Sequence, residues 1–334
     1  MQSERTGEEV DSIESTDTLE SFTEGKDDKQ ILLSVVITMV GGNVFTQRCL
    51  DRLISQIRGR SIEVIVPYDS TATEMASLQQ QFPQAIFVDM GVVDTSAPSG
   101  TQAAAHELYD CRTAAGLNAA RGKILALLQD YGAPAADWCD QVLQAHDLPY
   151  GVIGGAVEHE GQGALNWGVY FLDFGRYQPP LPEQATTYLT DINVSYKREV
   201  LESVKELWKD RYKEVTVNWA LSKHGVVLWQ RPQIIVYQDR GQLSFFDLVI
   251  ERYSWGRLFG SIRTHEIPWL LRLAYIVGSP AIPIVLLVRM ARKVFRGRRS
   301  RLHFLRYLPQ TLAMTVTWCF GEFIGYVTGR ESSI

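Results

Sequence analysis

The sequence predicts an α/β fold: a mixed, mainly parallel sheet flanked by helices, followed by a C-terminal apolar helical appendage. Three observations predict it. Short β-branched runs at 31–40, 62–66 and 85–89 alternate with helical patterns, the order that builds parallel strands joined by right-handed crossovers. A further apolar run at 125–128 leads into Gln129 and Asp130 and is stopped by Gly132 and Pro134. A strand therefore delivers polar residues at its carboxyl end, the edge where open α/β sheets bind ligands. Finally, 267–288 and 308–328 carry one charged residue each, Arg272 and Glu322, and both are long enough to cross a bilayer.

The chain has 334 residues, 46% apolar and 21% charged, which is enough for one large domain and an appendage. Its net charge of -5 is unevenly spread. Residues 1–30 hold ten Asp and Glu against Arg5, Lys26 and Lys29, so the remainder is slightly basic. This acidic arm has too few apolar residues to offset chain entropy, and it is expected to be disordered. It lacks the positive start and apolar centre of a secretory signal. Cys49, Cys111, Cys139 and Cys319 show no metal-binding spacing.

From residue 31 the elements follow in order. The continuous apolar run at 31–40 suits a strand covered on both faces. Gly41 and Gly42 turn it into a helix with Phe45, Cys49, Leu50, Leu53 and Ile57 at helical spacing. The strand at 62–66 ends in Pro67-Tyr68-Asp69-Ser70 and leads to a helix over 73–82 and a third strand at 85–89. A dinucleotide-binding fingerprint is excluded, because Gly41-Gly42 lacks a third glycine at the required spacing. Residues 90–105 read as a flexible loop, and a helix follows that carries His106, Glu107, Asp110, Arg112 and Arg121. Asp130 is then either a ligand for whatever enters the crevice or the first residue of a turn. Beyond it the pattern predicts a helix over 138–145, a glycine-rich strand over 151–157, and an aromatic, alternating strand over 166–177. Asn193 is expected to close a strand before a helix over 197–207, and Glu214 to open a helix stopped by Gly225.

Four stretches in this order carry a resemblance: SVVITMV from Ser34, EVIVPYDS from Glu63, RTAAGLNAARGKILALLQDYGAPAADW from Arg112, and DINVSYKREVLE from Asp191 followed by 214–225. Over about residues 31–240 the chain resembles the family 2 glycosyltransferases of the GT-A fold. The resemblance implies an inverting transfer of a sugar from a nucleotide-diphosphate donor, with a uridine-linked donor favoured over a guanosine-linked one. It implies that Thr38 and Asp69 face the nucleotide and that Arg112 neutralises the diphosphate with planar two-point hydrogen bonds. It places Asn193 near the acceptor and Glu214 as the base that takes the acceptor hydroxyl's proton. For Arg112 the alternative is an ion pair with Glu107 or Asp110, and for Glu214 a first-turn glutamate favoured by the helix dipole.

The sequence departs from the family where two carboxylates normally hold a divalent cation. Gln129 stands at the first position, leaving Asp130 to bind Mg²⁺ or Mn²⁺ with the diphosphate and water. A catalytically silent nucleotide-sugar-binding scaffold is therefore the alternative function. The resemblance also lacks the usual second acid near the base and the later arginine, with Lys213 and Ala220 in those places.

Residues 241–334 open with a basic, aromatic segment, ERYSWGRLFGSIR, that lacks the motif of processive synthases, so single-sugar transfer is expected. Between the two apolar stretches lie Arg289, Arg292, Lys293, Arg296, Arg298, Arg299, Arg301 and Arg306 with no acid. Such a loop belongs on the cytoplasmic side, where nucleotide sugars are made. Gly278-Ser279-Pro280 and Pro283 divide the first stretch into halves too short to cross. The expectation is thus a re-entrant or in-plane helical hairpin at the cytoplasmic face of the membrane, with a lipid, lipid-linked saccharide or surface glycan as acceptor and no nucleic-acid partner.

Overall fold

The computed structural model describes residues 30–297 and 300–330. The acidic arm over 1–29, together with Arg298 and Arg299, lies outside the described residues. The chain begins with β1 (Leu33–Thr38), α1 (Asn43–Ile57), β2 (Ile62–Tyr68), α2 (Met75–Gln81) and β3 (Ile86–Asp89). It continues through α3 (Gln102–Ala119), β4 (Ile124–Gln129), β5 (Gly132–Pro134), α4 (Trp138–Ala145), β6 (Val152–His159), α5 (Gly163–Asp173) and β7 (Gln184–Thr186). After β8 (Asn193–Lys197) come α6 (Arg198–Glu202), a 3-10 turn, α7 (Glu214–Lys223) and β9 (Leu228–Gln238). Five further helices close the chain: α8 (Phe245–Glu266), α9 (Trp269–Gly278), α10 (Ile282–Gly297), α11 (Arg301–Arg306) and α12 (Leu308–Thr328).

The strands form one sheet in the order β3-β2-β1-β4-β8-β6-β9-β5, with β7 paired to β9. β1 pairs in parallel with β2 and β4, and β2 with β3. β8 runs antiparallel between β4 and β6. The unbroken apolar runs of β1 and β4 have a physical reason. Leu33, Val35, Ile37, Ala126 and Leu128 face a core under α1 and α4, whereas Val36, Leu125 and Leu127 face a second core with Leu117, Trp208 and Val217. Each such side chain contributes about 1.5–3 kcal/mol on burial, so both faces demand apolar residues.

Three expectations are corrected here. Residues 166–177 do not form a strand; 163–173 is α5. Trp167, Tyr170, Phe171 and Phe174 recur at three and four residues and pack together with Phe304 and Met290, so the 3.6-residue period governs. Asn193 opens β8 rather than closing a strand, and the helix after it is only Arg198–Glu202 plus the 3-10 turn Lys205–Leu207.

The apolar 267–288 stretch is not a hairpin. α9, a 3-10 turn over Ser279–Ala281 and α10 follow one another as a single helical run from Trp269 to Gly297. Pro280 lies in the 3-10 turn and Pro283 in the first turn of α10, so the prolines interrupt the α geometry without reversing the chain. α12 instead packs along α8. A Cβ on Gly256 would stand 2.0 Å from the Trp318 carbonyl oxygen and one on Gly321 2.1 Å from that of Tyr253, so this helix pair closes only with glycine at the contact.

Candidate active site

The carboxyl ends of β1, β2 and β4 meet at one edge, where Thr38 stands in register with Gln129. Asp69, just past β2, is almost fully buried. Arg112 reaches it from α3, with Nε donating to Asp69 Oδ2 at 2.6 Å, Nη1 to the Met39 carbonyl at 2.8 Å and Nη2 to Thr71 Oγ1 at 2.9 Å. The backbone N–H and hydroxyl of Thr71 donate to the other Asp69 oxygen, at 2.9 and 2.6 Å. Burial pushes the Asp69 carboxyl up, but the hydrogen bonds from Arg112 and Thr71 outweigh it and hold it below the usual range. Arg112 thus pairs with neither Glu107 nor Asp110 through these bonds; Glu107 pairs with Arg211. Thr38 lies beneath this cluster, its hydroxyl 2.9 Å from that of Thr113. The structure therefore brings Thr38, Asp69, Arg112 and Gln129 together at one edge.

Asp130 has a different surrounding from the one expected. Its side chain is inaccessible, and its two oxygens accept the Gly41 N–H at 2.9 and 3.1 Å and the Thr46 hydroxyl at 3.3 Å. It thereby braces the loop that carries Gly42, whose φ of 85° precedes α1 and favours glycine. Burial raises its pKa from 3.8 to about 6 despite those hydrogen bonds. Among the described residues no group of three His, Cys, Asp or Glu is placed to hold a metal. Asp130 as found does not fit a cation ligand, because its side chain is inaccessible and turned onto the loop.

Asn193 is likewise turned inward. Its amide donates to the carbonyls of Ala156 and Ile234 at 2.9 and 3.0 Å, and its oxygen accepts Trp138 Nε1–H at 3.0 Å. This corrects the expectation of an acceptor-facing asparagine: the side chain ties β8 to β6, β9 and α4 inside the fold.

Glu214 lies at the amino end of α7 beside Asp191. Because Asn193 pairs with Leu128 at the end of β4, Asp191 projects past the same carboxyl edge as Gln129. Tyr109 of α3 donates its hydroxyl to Asp191 at 2.6 Å, and Tyr188 hydrogen-bonds Glu214. Glu214 Oε1 is buried with no partner among the described residues. Burial first, and the neighbouring Asp191 carboxyl second, push the Glu214 carboxyl well above its usual range; burial also raises Asp191. Two adjacent acids so poorly solvated cannot both ionise cheaply, so the pair retains a proton.

Asp191 was missed in the sequence, since its partner lies on a different element and only the register of β8 joins them. Also unforeseen is an ion network of Arg240, Glu251, Arg252 and Asp173. Arg252 and Arg240 overcome the burial of Glu251 and bring its pKa to about 2. Nearby, His106 of α3 stacks on Trp255 of α8 at 3.8 Å, so the appendage is fixed to the helix that also carries Tyr109 and Arg112.

No protein-family model matches the chain, and no curated protein is similar to it in sequence. Among solved structures it is similar to the mannosyltransferase PcManGT from Pyrobaculum calidifontis in complex with GDP-Man and Mn²⁺, at 15% identity and a TM-score of 0.51, over 90% of this chain and 88% of that one. It is also similar to residues 1–349 of S. aureus TarS in complex with UDP-GlcNAc, at 9% identity and a TM-score of 0.46, over 84% of this chain and 71% of that one. The mixed, mainly parallel sheet, its flanking helices and the match to PcManGT show that the chain shares the fold of that mannosyltransferase.

Proposed function

We propose that the protein is an inverting glycosyltransferase acting at the cytoplasmic face of a membrane, moving one sugar from a nucleotide-diphosphate donor to a lipid, lipid-linked saccharide or surface glycan. The observation that carries this reading is the unpartnered, buried Glu214 Oε1 beside Asp191, set at the sheet edge that also holds Asp69 and Arg112. In the proposed reaction the acceptor oxygen forms a bond to the anomeric carbon while the bond from that carbon to the diphosphate oxygen breaks. The hydroxyl proton passes to Glu214, and the diphosphate leaves with the electron pair of the broken bond. A raised pKa makes Glu214 a stronger proton acceptor once ionised. Asp69 and Arg112 form a preorganised unit at the nucleotide end, and Thr38 and Gln129 complete its floor. No step is assigned to a protein-held cation.

A second reading, a catalytically silent scaffold that binds a nucleotide sugar, draws on Gln129 in place of an acid and on the committed Asp130 carboxylate. A panel of uridine- and guanosine-diphosphate sugars, offered with lipid-linked saccharides in detergent, separates the two. Transfer with inversion at the anomeric carbon supports the enzyme. Thermal stabilisation by a donor with no product from any acceptor supports the scaffold.

A further inference from the structure

The helical run from Trp269 to Gly297 is long and apolar, and little of it is buried. It is nevertheless fastened at both ends, at its start to α12 and near its end to the folded domain. Near its start, Arg272 donates to the carbonyls of Tyr326 and Val327 at 2.6 and 3.0 Å, and Tyr275 stacks on Tyr326. Near its end, Met290 and Val294 enter the core formed by Val157, Tyr170 and Phe171, and Lys293 donates to the Pro180 carbonyl at 3.0 Å. Arg272 and Lys293 are separated by about 32 Å of helix at 1.5 Å per residue, close to the roughly 30 Å hydrocarbon thickness of a bilayer. A crossing helix would draw into the hydrocarbon not only α12 but the charged α8 packed along it, whose Glu266 is tied to Lys223 of α7. The run therefore lies along the domain, not away from it.

Its outward stripe is ordered. Leu270, Leu273, Val277, Ile284 and Val288 recur at three, four and seven residues and are all exposed. The same stripe then turns basic at Arg292 and Arg296, beside the exposed Arg289. Between Glu266 and Glu322 the chain contains no acid. An apolar stripe that ends in unopposed arginines matches an interfacial helix, whose apolar face enters the acyl boundary while its cations meet anionic headgroups.

We propose that α9 and α10 form a docking face for an anionic phospholipid bilayer, lying in the plane of one leaflet without crossing it. This deepens the proposed membrane location and is independent of whether the cleft transfers sugar. The test is flotation of the full chain with vesicles of neutral phosphatidylcholine or of phosphatidylcholine with phosphatidylglycerol. The wild type should float with the anionic vesicles and lose that binding in high salt. The joint substitution Arg289→Ala, Arg292→Ala and Arg296→Ala should lower partitioning about 100-fold, at about fivefold per charge removed. Val277→Asp with Ile284→Asp should abolish it; both positions are exposed, so far-UV circular dichroism and the melting temperature should be unchanged. Resistance of the vesicle-bound protein to alkaline carbonate extraction would establish a crossing and overturn the in-plane arrangement. Equal flotation with both vesicle types would remove the headgroup contribution. No flotation together with concentration-dependent self-association would make the stripe an interface between copies. Thermal stabilisation by a nucleotide sugar, measured on the same samples, reads the cleft separately, so a failed docking face and a failed transferase reading give different results.

Discussion

Asp130→Asn separates a loop brace from a cation ligand. The folded carboxyl has a pKa of about 6 against the ordinary 3.8, chiefly because burial disfavours its charge. Below pH 3.8 it is protonated in both folded and unfolded chains. Between 3.8 and about 6 the unfolded chain releases a proton that the fold retains, so stability falls as pH rises. Above about 6 the full penalty, about 3 kcal/mol at 1.36 kcal/mol per pH unit, is in place. Asparagine cannot ionise, so it removes this pH dependence while forfeiting part of the acceptance from Gly41 and Thr46, a loss of about 1–3 kcal/mol. At pH 8 the two effects nearly cancel. Relative to wild type, the variant should gain about 2 kcal/mol between pH 4.5 and pH 8, read from urea unfolding followed by tryptophan fluorescence. Turnover should stay within about tenfold, because the carboxylate faces the loop and not the cleft. A stability difference independent of pH would refute the brace argument, and a loss of turnover by orders of magnitude at unchanged stability would restore the ligand role.

Other substitutions probe the remaining groups. Glu214→Gln should preserve donor affinity and fold and lower transfer by about 10²–10⁴-fold, the range of general-base catalysis; single-turnover kinetics with a calorimetric donor titration checks it, and equal loss of both would give the residue a structural role. Asp191→Asn removes the charge that helps hold the Glu214 proton, so the acid limb of the pH–rate profile should move to lower pH. An unmoved limb would mean that the two carboxyls do not communicate. Asn193→Leu strands Trp138 Nε1–H and two strand carbonyls in the sheet interior, which should cost about 3 kcal/mol or more and leave acceptor KM unchanged in the folded fraction. Gly321→Leu should separate α8 from α12 and lower the melting temperature, as its Cβ has no room against the Tyr253 carbonyl.

The readable parts of the sequence were those in which a single element answers to a single environment. β1 and β4 are apolar without interruption because both faces are buried, and Asp69 stands out because it follows directly on a buried strand. The residues misread are those whose role depends on a second element. Asp130 sits at the expected edge, but its direction is decided by the N–H groups of the Gly41 loop, more than eighty residues earlier. Asn193 is polar at a strand end, yet it satisfies carbonyls on two other strands. The aromatics after Asn166 fit either period, and packing against α11 and α10 selects the helix.

The pairing of Asp191 with Glu214 bears on the choice between enzyme and scaffold. The fold gains little from two adjacent acids here: burial opposes the charge of both, the Asp191 charge further opposes that of Glu214, and glutamine at 214 would fill the same space with no charge to desolvate. Asp191 is at least held by Tyr109, but Glu214 Oε1 has no counterpart among the described residues. By contrast, the buried ions of the appendage, Glu251 and Arg252, are paired with partners of opposite charge. A local arrangement that opposes stability, confined to the carboxyl edge of the sheet, is the pattern expected where a carboxylate is kept for proton transfer. A scaffold that only holds a nucleotide sugar, by Asp69 and Arg112 on the proposed reading, has no use for that pair.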